Sequence, residues 1–202
     1  MPKVTCHMSI SLDGFVAGPH QSKEHPLGID GLKLHEWHFR AGEPGHEADV
    51  APRDALLGAR GAYVMGRNMF GPIRGEWEGD WRGWWGDEPP YHAPVFVLTH
   101  YAREPIEMQG GTTFHFVTEG FEAALAEARS AADEQDVDIA GGASTVRQAL
   151  QAGAIDELML DVVPVLLGVG ERLFDGVDDP GLEPIEVIDS SHATHIRYRV
   201  GR

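Results

Sequence analysis

Apolar residues fall along the chain in short runs separated by longer amphipathic stretches. Lys3 to Ile10 is β-prone, Ala62 to Gly66 closes on a glycine, and Pro94 to Leu98 (Pro-Val-Phe-Val-Leu) is the strongest run. Phe114 to Val117 and Val137 to Ala140 are shorter members of the set, and Leu158 to Leu167 is a long one interrupted by Pro164. Proline has no N–H for a ladder, so this last segment reads as an edge strand or as two pieces. Ile185 to Ile188 and Thr194 to Val200 fit an antiparallel pair closing the chain. Continuous apolar strands imply a sheet covered on both faces.

Between the strands the period becomes helical. Thr118 is placed to cap a helix with Glu119 and Glu122 in its first turn and Phe121, Leu125, Ala128 and Ala132 on one face. A second helix begins near Ala143, shows Val146, Ala149 and Leu150 as its stripe, and stops at Gly153. A third is expected over Asp49 to Leu57. Strand and helix signals alternate, which predicts α/β architecture. Two stretches break the alternation. Residues 18–49 hold His20, His25, His35, His38 and His46, and residues 71–93 hold Trp77, Trp81, Trp84 and Trp85 among Gly, Pro and acids. Both read as long insertions over a single domain spanning 1–202, and loops of that length are usually functional or mobile.

Composition narrows the function. With 16 Lys+Arg against 32 Asp+Glu the formal charge is −16, which excludes non-specific adhesion to nucleic acid or an anionic membrane. The lone Cys6 excludes a disulfide framework and a Cys-rich zinc site. The first residues carry no apolar signal region, and the run from Val162 to Gly170 is too short to span a bilayer, so a cytoplasmic location is expected.

Three polar corners follow three predicted strands. Asp138-Ile139-Ala140-Gly141-Gly142-Ala143-Ser144-Thr145 reads as strand, two glycines and a helix start, a corner that suits a phosphate because glycine lets the backbone approach and the helix offers free N–H groups. Gly66-Arg67-Asn68-Met69-Phe70 places a cation at a strand end, and Thr99-His100 follows the next strand. Ligands of open α/β sheets collect at such ends. Gly168-Val169-Gly170-Glu171-Arg172-Leu173 lacks the third small residue and following helix of a dinucleotide fingerprint. Around Ser144 the last glycine of a nucleophile elbow is Val146.

The corners join other motifs in one order: Ser9-Ile10-Ser11-Leu12-Asp13-Gly14-Phe15, Val64-Met65-Gly66-Arg67, Val95 to Thr99, Gly141-Gly142, Ile155-Asp156-Glu157-Leu158, Pro164 to Gly168 and Gly170 to Phe174. From about Lys3 to Val200 the chain resembles the dihydrofolate reductase-like superfamily. More narrowly, it resembles stand-alone bacterial proteins similar to the reductase (C-terminal) domain of the bifunctional riboflavin biosynthesis protein RibD. The resemblance implies a mixed, mainly parallel sheet flanked by helices, with NADPH across its strand ends and a homodimer. By the same resemblance Gly141, Gly142, Ser144 and Thr145 hold the pyrophosphate. Arg67, Thr99 and His100 lie near the adenosine 2′-phosphate, with Gly66 beside them. Leu12, Asp13 and Gly14 flank the nicotinamide, and Pro164 to Gly170 lines the cleft or a dimer contact.

The resemblance further implies hydride transfer to a small pterin- or pyrimidine-like heterocycle, with Glu36, by its position after the first loop, or Asp13 as proton donor. Two alternatives stay open: 5-amino-6-(5-phosphoribosylamino)uracil reductase, and a non-catalytic NADPH-binding sensor. Met69 replaces the threonine usual in the Gly-Arg-x-Thr motif, and a deaminase zinc motif is absent. No metal site is expected: His35, Glu36 and His38 do not form His-Glu-x-x-His, and the histidines read as solvated or substrate-facing. The tryptophans read as packing for a loop or subunit interface, with stacking on a flat substrate ring as the alternative.

Overall fold

The computed structural model describes residues 2–201. Its strands are β1 (Val4–Ser11), β2 (Phe15–Ala17), β3 (Ala62–Gly66), β4 (Pro94–Leu98), β5 (Ile106–Glu107), β6 (Thr113–Val117), β7 (Val137–Gly141), β8 (Glu157–Val163), β9 (Glu171–Arg172), β10 (Glu183–Asp189) and β11 (Thr194–Arg199). The α-helices are α1 (Glu36–Phe39), α2 (Val50–Leu56), α3 (Arg67–Phe70), α4 (Phe121–Ala132) and α5 (Ala143–Gln151). Nine strands form one sheet in the order β10-β11-β8-β1-β7-β3-β4-β6-β5. The run from β8 to β6 is parallel, and antiparallel strands finish it at both ends. This is the mixed, mainly parallel α/β sheet expected, in a single domain.

Two layers cover the sheet. α4 and α5 lay Phe121, Ala124, Leu125, Val146 and Ala149 on one face against Val4, Cys6, Val64, Ile139 and Leu158. Burying one such aliphatic side chain contributes about 1.5–3 kcal/mol, so this face anchors the fold. On the other face the 71–93 segment brings Trp77, Trp81 and Trp85 onto a cluster of Tyr63, Met65, Phe70, Val95, Val97 and Phe114. The tryptophans therefore do pack a loop onto the sheet. Leu34 and Trp37, from the 18–49 segment, cover Val163 and Ala193 nearby.

Two expectations are corrected. Pro164 does not make its strand an edge. β8 ends at Val163, one residue earlier, and pairs with β1 on one side and β11 on the other. The helix after β6 starts at Phe121 with Gly120 as its N-cap (φ 98°), so Thr118 does not cap it. Among the described residues, no helix is long and apolar enough to cross a membrane.

Candidate active site

A cavity of about 790 Å3 opens where the parallel strands end. Ser9 of β1, Gly141 of β7, Gly66 of β3, Leu98 of β4 and Val117 of β6 all reach it. Its corner is built by close approach. A Cβ on Gly66 would stand 2.6 Å from the Thr145 Oγ1, so a side chain there would have to displace that hydroxyl where β3 ends against the first turn of α5. Gly141 has φ +122° and faces the sulfurs of Met8 and Met69. Gly142 differs: it lines the cavity, and a Cβ there would meet nothing within 4 Å. No side chain caps α5, and no acid occupies its first turn. Helix N-termini of this kind attract anions.

Arg67 opens α3 from the neighbouring strand end. Its Nη1 donates to Thr99 Oγ1 at 2.8 Å, its Nε to the Ile73 carbonyl at 3.1 Å and its Nη2 to the Gly75 carbonyl at 3.0 Å. The guanidinium lies 3.1 Å over the Trp77 ring. Burial, then the charges of Arg103 and Arg74, bring its pKa down to about 10, so it remains a cation at neutral pH. The 71–93 loop thus fixes this cation's direction. Gly66, Arg67, Thr99, His100, Gly141, Gly142, Ser144 and Thr145 all line the one cavity.

The first loop is placed differently. Leu12 is 66% exposed, and Leu12, Asp13 and Gly14 do not reach the cavity wall. Asp13 is a clamp: Ser11 Oγ donates to it at 2.6 Å, and the Leu167 and Gly168 amides donate at 3.1 and 2.7 Å. The Ser11 bond leads the effects that bring its pKa down to about 2, so it carries no proton to give at neutral pH. Pro164 to Gly170 is tied down by that clamp and stays off the cavity wall. Glu36 is exposed and likewise off the wall. The structure therefore brings neither expected proton donor to the cavity.

Other residues are there instead. Asp138, on β7, lines the wall and accepts from Thr5 Oγ1 at 2.7 Å; burial raises its pKa. His7 lines the wall too, with Nε2 2.9 Å from Asp161 Oδ2. Ser9 Oγ donates to the same oxygen at 3.2 Å and accepts from Trp37 Nε1 at 3.0 Å. Behind them His195 bridges Asp161 (2.7 Å) and Asp49 (3.0 Å). Burial lowers the His195 pKa, but the two carboxylates outweigh it and the net shift is upward. Arg74, Trp84 and Trp85 complete this side of the wall.

The alternation of β1 could have pointed to His7 and Ser9, since it puts them on the face opposite Val4 and Cys6. Asp161, an acid inside an apolar strand, was the other readable signal. The histidines divide. His35 and His38 line the cavity, whereas His46 is buried at 2% exposure beside Asp49, so the solvated reading fails for it.

A profile described as the RibD C-terminal domain matches residues 2–195. The chain belongs to the RibD C-terminal domain family. Solved structures share the fold of this family member. A protein from Shewanella sp. PV-4, described as a candidate riboflavin biosynthesis protein, is 22% identical, covers 99% of each chain and has a TM-score of 0.68. A pyrimidine reductase-like protein from Corynebacterium diphtheriae is 17% identical over 100% of this chain and 92% of its own, with a TM-score of 0.60. A dihydrofolate reductase from Enterococcus faecalis, solved with NADP(H), is 15% identical over 99% of this chain and 97% of its own, with a TM-score of 0.57. A search of curated proteins finds no match.

Proposed function

We propose that this RibD C-terminal domain protein is an NADPH-dependent reductase of a small pyrimidine- or pterin-like heterocycle. The observation that carries the reading is the strand-end corner. An uncapped helix start and a glycine open to the cavity face the same space as a fixed guanidinium. The fit to a dinucleotide rests on that chemistry. Gly142 leaves the room a side chain would take, the α5 N–H groups suit a pyrophosphate, and Arg67 with Thr99 suits a 2′-phosphate. NADPH bound there would supply the hydride.

The chain supplies binding, orientation and a proton. Arg67 selects the phosphorylated cofactor, and its stacking on Trp77 keeps it from swinging to solvent. Trp84, Trp85 and Tyr91 give the substrate side of the cavity flat apolar walls. Asp138, whose burial favours its neutral form, is the acid placed to give the proton, and Thr5 fixes its carboxyl. A phosphorylated pyrimidine, the second reading, is favoured by Arg74, a second guanidinium in the wall. Family membership agrees with it: one structural neighbour, from Thermotoga maritima, is described as a deaminase and 5-amino-6-(5-phosphoribosylamino)uracil reductase, and this chain covers 56% of its length.

The test is NADPH oxidation with 5-amino-6-(5-phosphoribosylamino)uracil and, separately, with dihydrofolate. Turnover of the first alone supports the phosphorylated pyrimidine, and turnover of dihydrofolate supports a pterin. Saturable NADPH binding without either leaves the sensor reading. Replacing Arg67 with Ala removes a charge-assisted contact worth about 1.5–3 kcal/mol. NADPH binding should therefore weaken roughly 10- to 150-fold, with little change for NADH. Equal losses would contradict the 2′-phosphate role.

A further inference from the structure

Off the cavity wall, one cluster of ligating side chains has no part in the proposed reaction. His46 and His192 stack face to face, with ring centroids 3.4 Å apart and planes at 14°. Their Nδ1 atoms lie 3.0 and 3.5 Å from a single oxygen, Asp49 Oδ2, and His192 Nδ1 also lies 3.1 Å from Ser191 Oγ. The three donor atoms all lie within 4.8 Å of one another. Asp49 and His46 are buried, while the His192 side chain is 33% exposed, which gives the cluster one open side.

The geometry points to a divalent transition-metal site, of zinc-like chemistry, held by His46 Nδ1, Asp49 Oδ2 and His192 Nδ1. Four observations support it. First, the spacing is compatible: with bonds of about 2.0–2.1 Å, tetrahedral ligands stand about 3.4 Å apart, and an ion would replace the 3.0 Å hydrogen bond from His46 and the 3.5 Å approach of His192 to Asp49. Second, both Nδ1 atoms lie within 3.5 Å of one carboxylate oxygen, and His192, at the open side, has room to tilt out of the stack, as it must for both in-plane lone pairs to meet one ion.

Third, the carboxylate is held from behind. Asp49 Oδ1 takes His195 Nε2 at 3.0 Å, and His195 Nδ1 is itself held by Asp161 at 2.7 Å. Metal-binding carboxylates are oriented by outer partners in this way. Fourth, two imidazole nitrogens and one carboxylate oxygen select zinc, cobalt or nickel over calcium or magnesium. Three protein ligands and one open side leave a place for water. An ion there would staple the 3-10 turn Glu47–Asp49 to the hairpin turn between β10 and β11, joining early and late parts of the chain. The inference is independent of the reductase reading.

The test uses the full-length protein, freed of any affinity tag, stripped with a chelator and titrated with Co2+ and then Zn2+. One saturable equivalent of Co2+, with a visible d–d band that Zn2+ bleaches and Mg2+ does not, is expected. His192→Ala, a change at the open side, should weaken Zn2+ binding at least tenfold and abolish the rise in melting temperature that Zn2+ produces. His25→Ala, at an exposed position on the 18–49 segment, should leave both unchanged. His46→Ala should act like His192→Ala; if it fails to fold, the His192 variant decides alone. Absence of a saturable cobalt signal, or binding that survives His192→Ala, overturns the site. So does binding of several equivalents with Mg2+ as effective as Zn2+, which would mark the acidic surface.

Discussion

Asp161 is the acid on which the polar layer beneath the cavity depends. It is fully buried in a central strand and receives His195, His7 and Ser9. Its pKa is lowered: burial pushes it up, and the bonds from His195 and His7 outweigh that. Replacing Asp161 with Ala leaves His195, whose pKa is raised, with Asp49 as its remaining carboxylate and strips His7 of its acceptor. Removing one member of a buried ion pair costs about 3–5 kcal/mol. For a chain of this size each kcal/mol shifts the melting temperature by about 2–4 °C, so a fall of roughly 6–20 °C is expected. Urea and thermal unfolding followed by circular dichroism measure it. Asp161→Asn, which keeps the shape and one acceptor, should fall between wild type and Ala. Arg199→Ala, breaking the exposed pair with Glu183, should cost under about 1 kcal/mol. An Asp161→Ala loss as small as that would refute the view that this layer is a coupled, buried charge cluster.

Other consequences are also measurable. Gly142→Val should weaken NADPH binding at least tenfold with little change in melting temperature, because its side chain enters open cavity and not protein; a folded variant with wild-type affinity would place the cofactor elsewhere. His35 is brought down to about pKa 4, mainly by burial and then by His38. Its unfolded pKa is about 6.5, so the unfolded chain binds more protons, and stability should be lost as pH falls from about 6.5 to 4. Comparing wild type with His35→Gln isolates this slope in chemical-denaturation series, and identical slopes would contradict it. The Asp13 clamp has the depressed-acid sign: it is intact above about pH 4 and lost as pH falls toward 2. Asp13→Asn should accelerate amide exchange at Leu167 and Gly168 at neutral pH.

The strands were legible because parallel strands buried on both faces are written as unbroken apolar runs. Ala62 to Gly66 and Pro94 to Leu98 coincide with β3 and β4. The strand-end corners were legible for the same reason: the glycines, Arg67 and Thr99 sit where those runs stop. Pro164 misled because a proline just past a strand end looks the same in sequence as one inside it, and the return of β11 alongside β8 is a long-range event. Asp13 and Glu36 were chosen by position after the first strand, which does not show that hydrogen bonds hold Asp13 away from the cavity wall or that Glu36 faces solvent. Asp138 and His7 come to the wall through strand pleat and sheet order. His195 meets Asp161 across the β8–β11 register, a pairing no local spacing announces.

The central claim is that the corner formed by Gly141, Gly142 and α5 holds a reduced dinucleotide whose 2′-phosphate faces Arg67. Calorimetric titration of the wild-type protein with NADPH and with NADH addresses it without any assumption about the substrate. One saturable equivalent of NADPH, bound more tightly than NADH, is the expected result; no saturable heat with either cofactor would contradict the account.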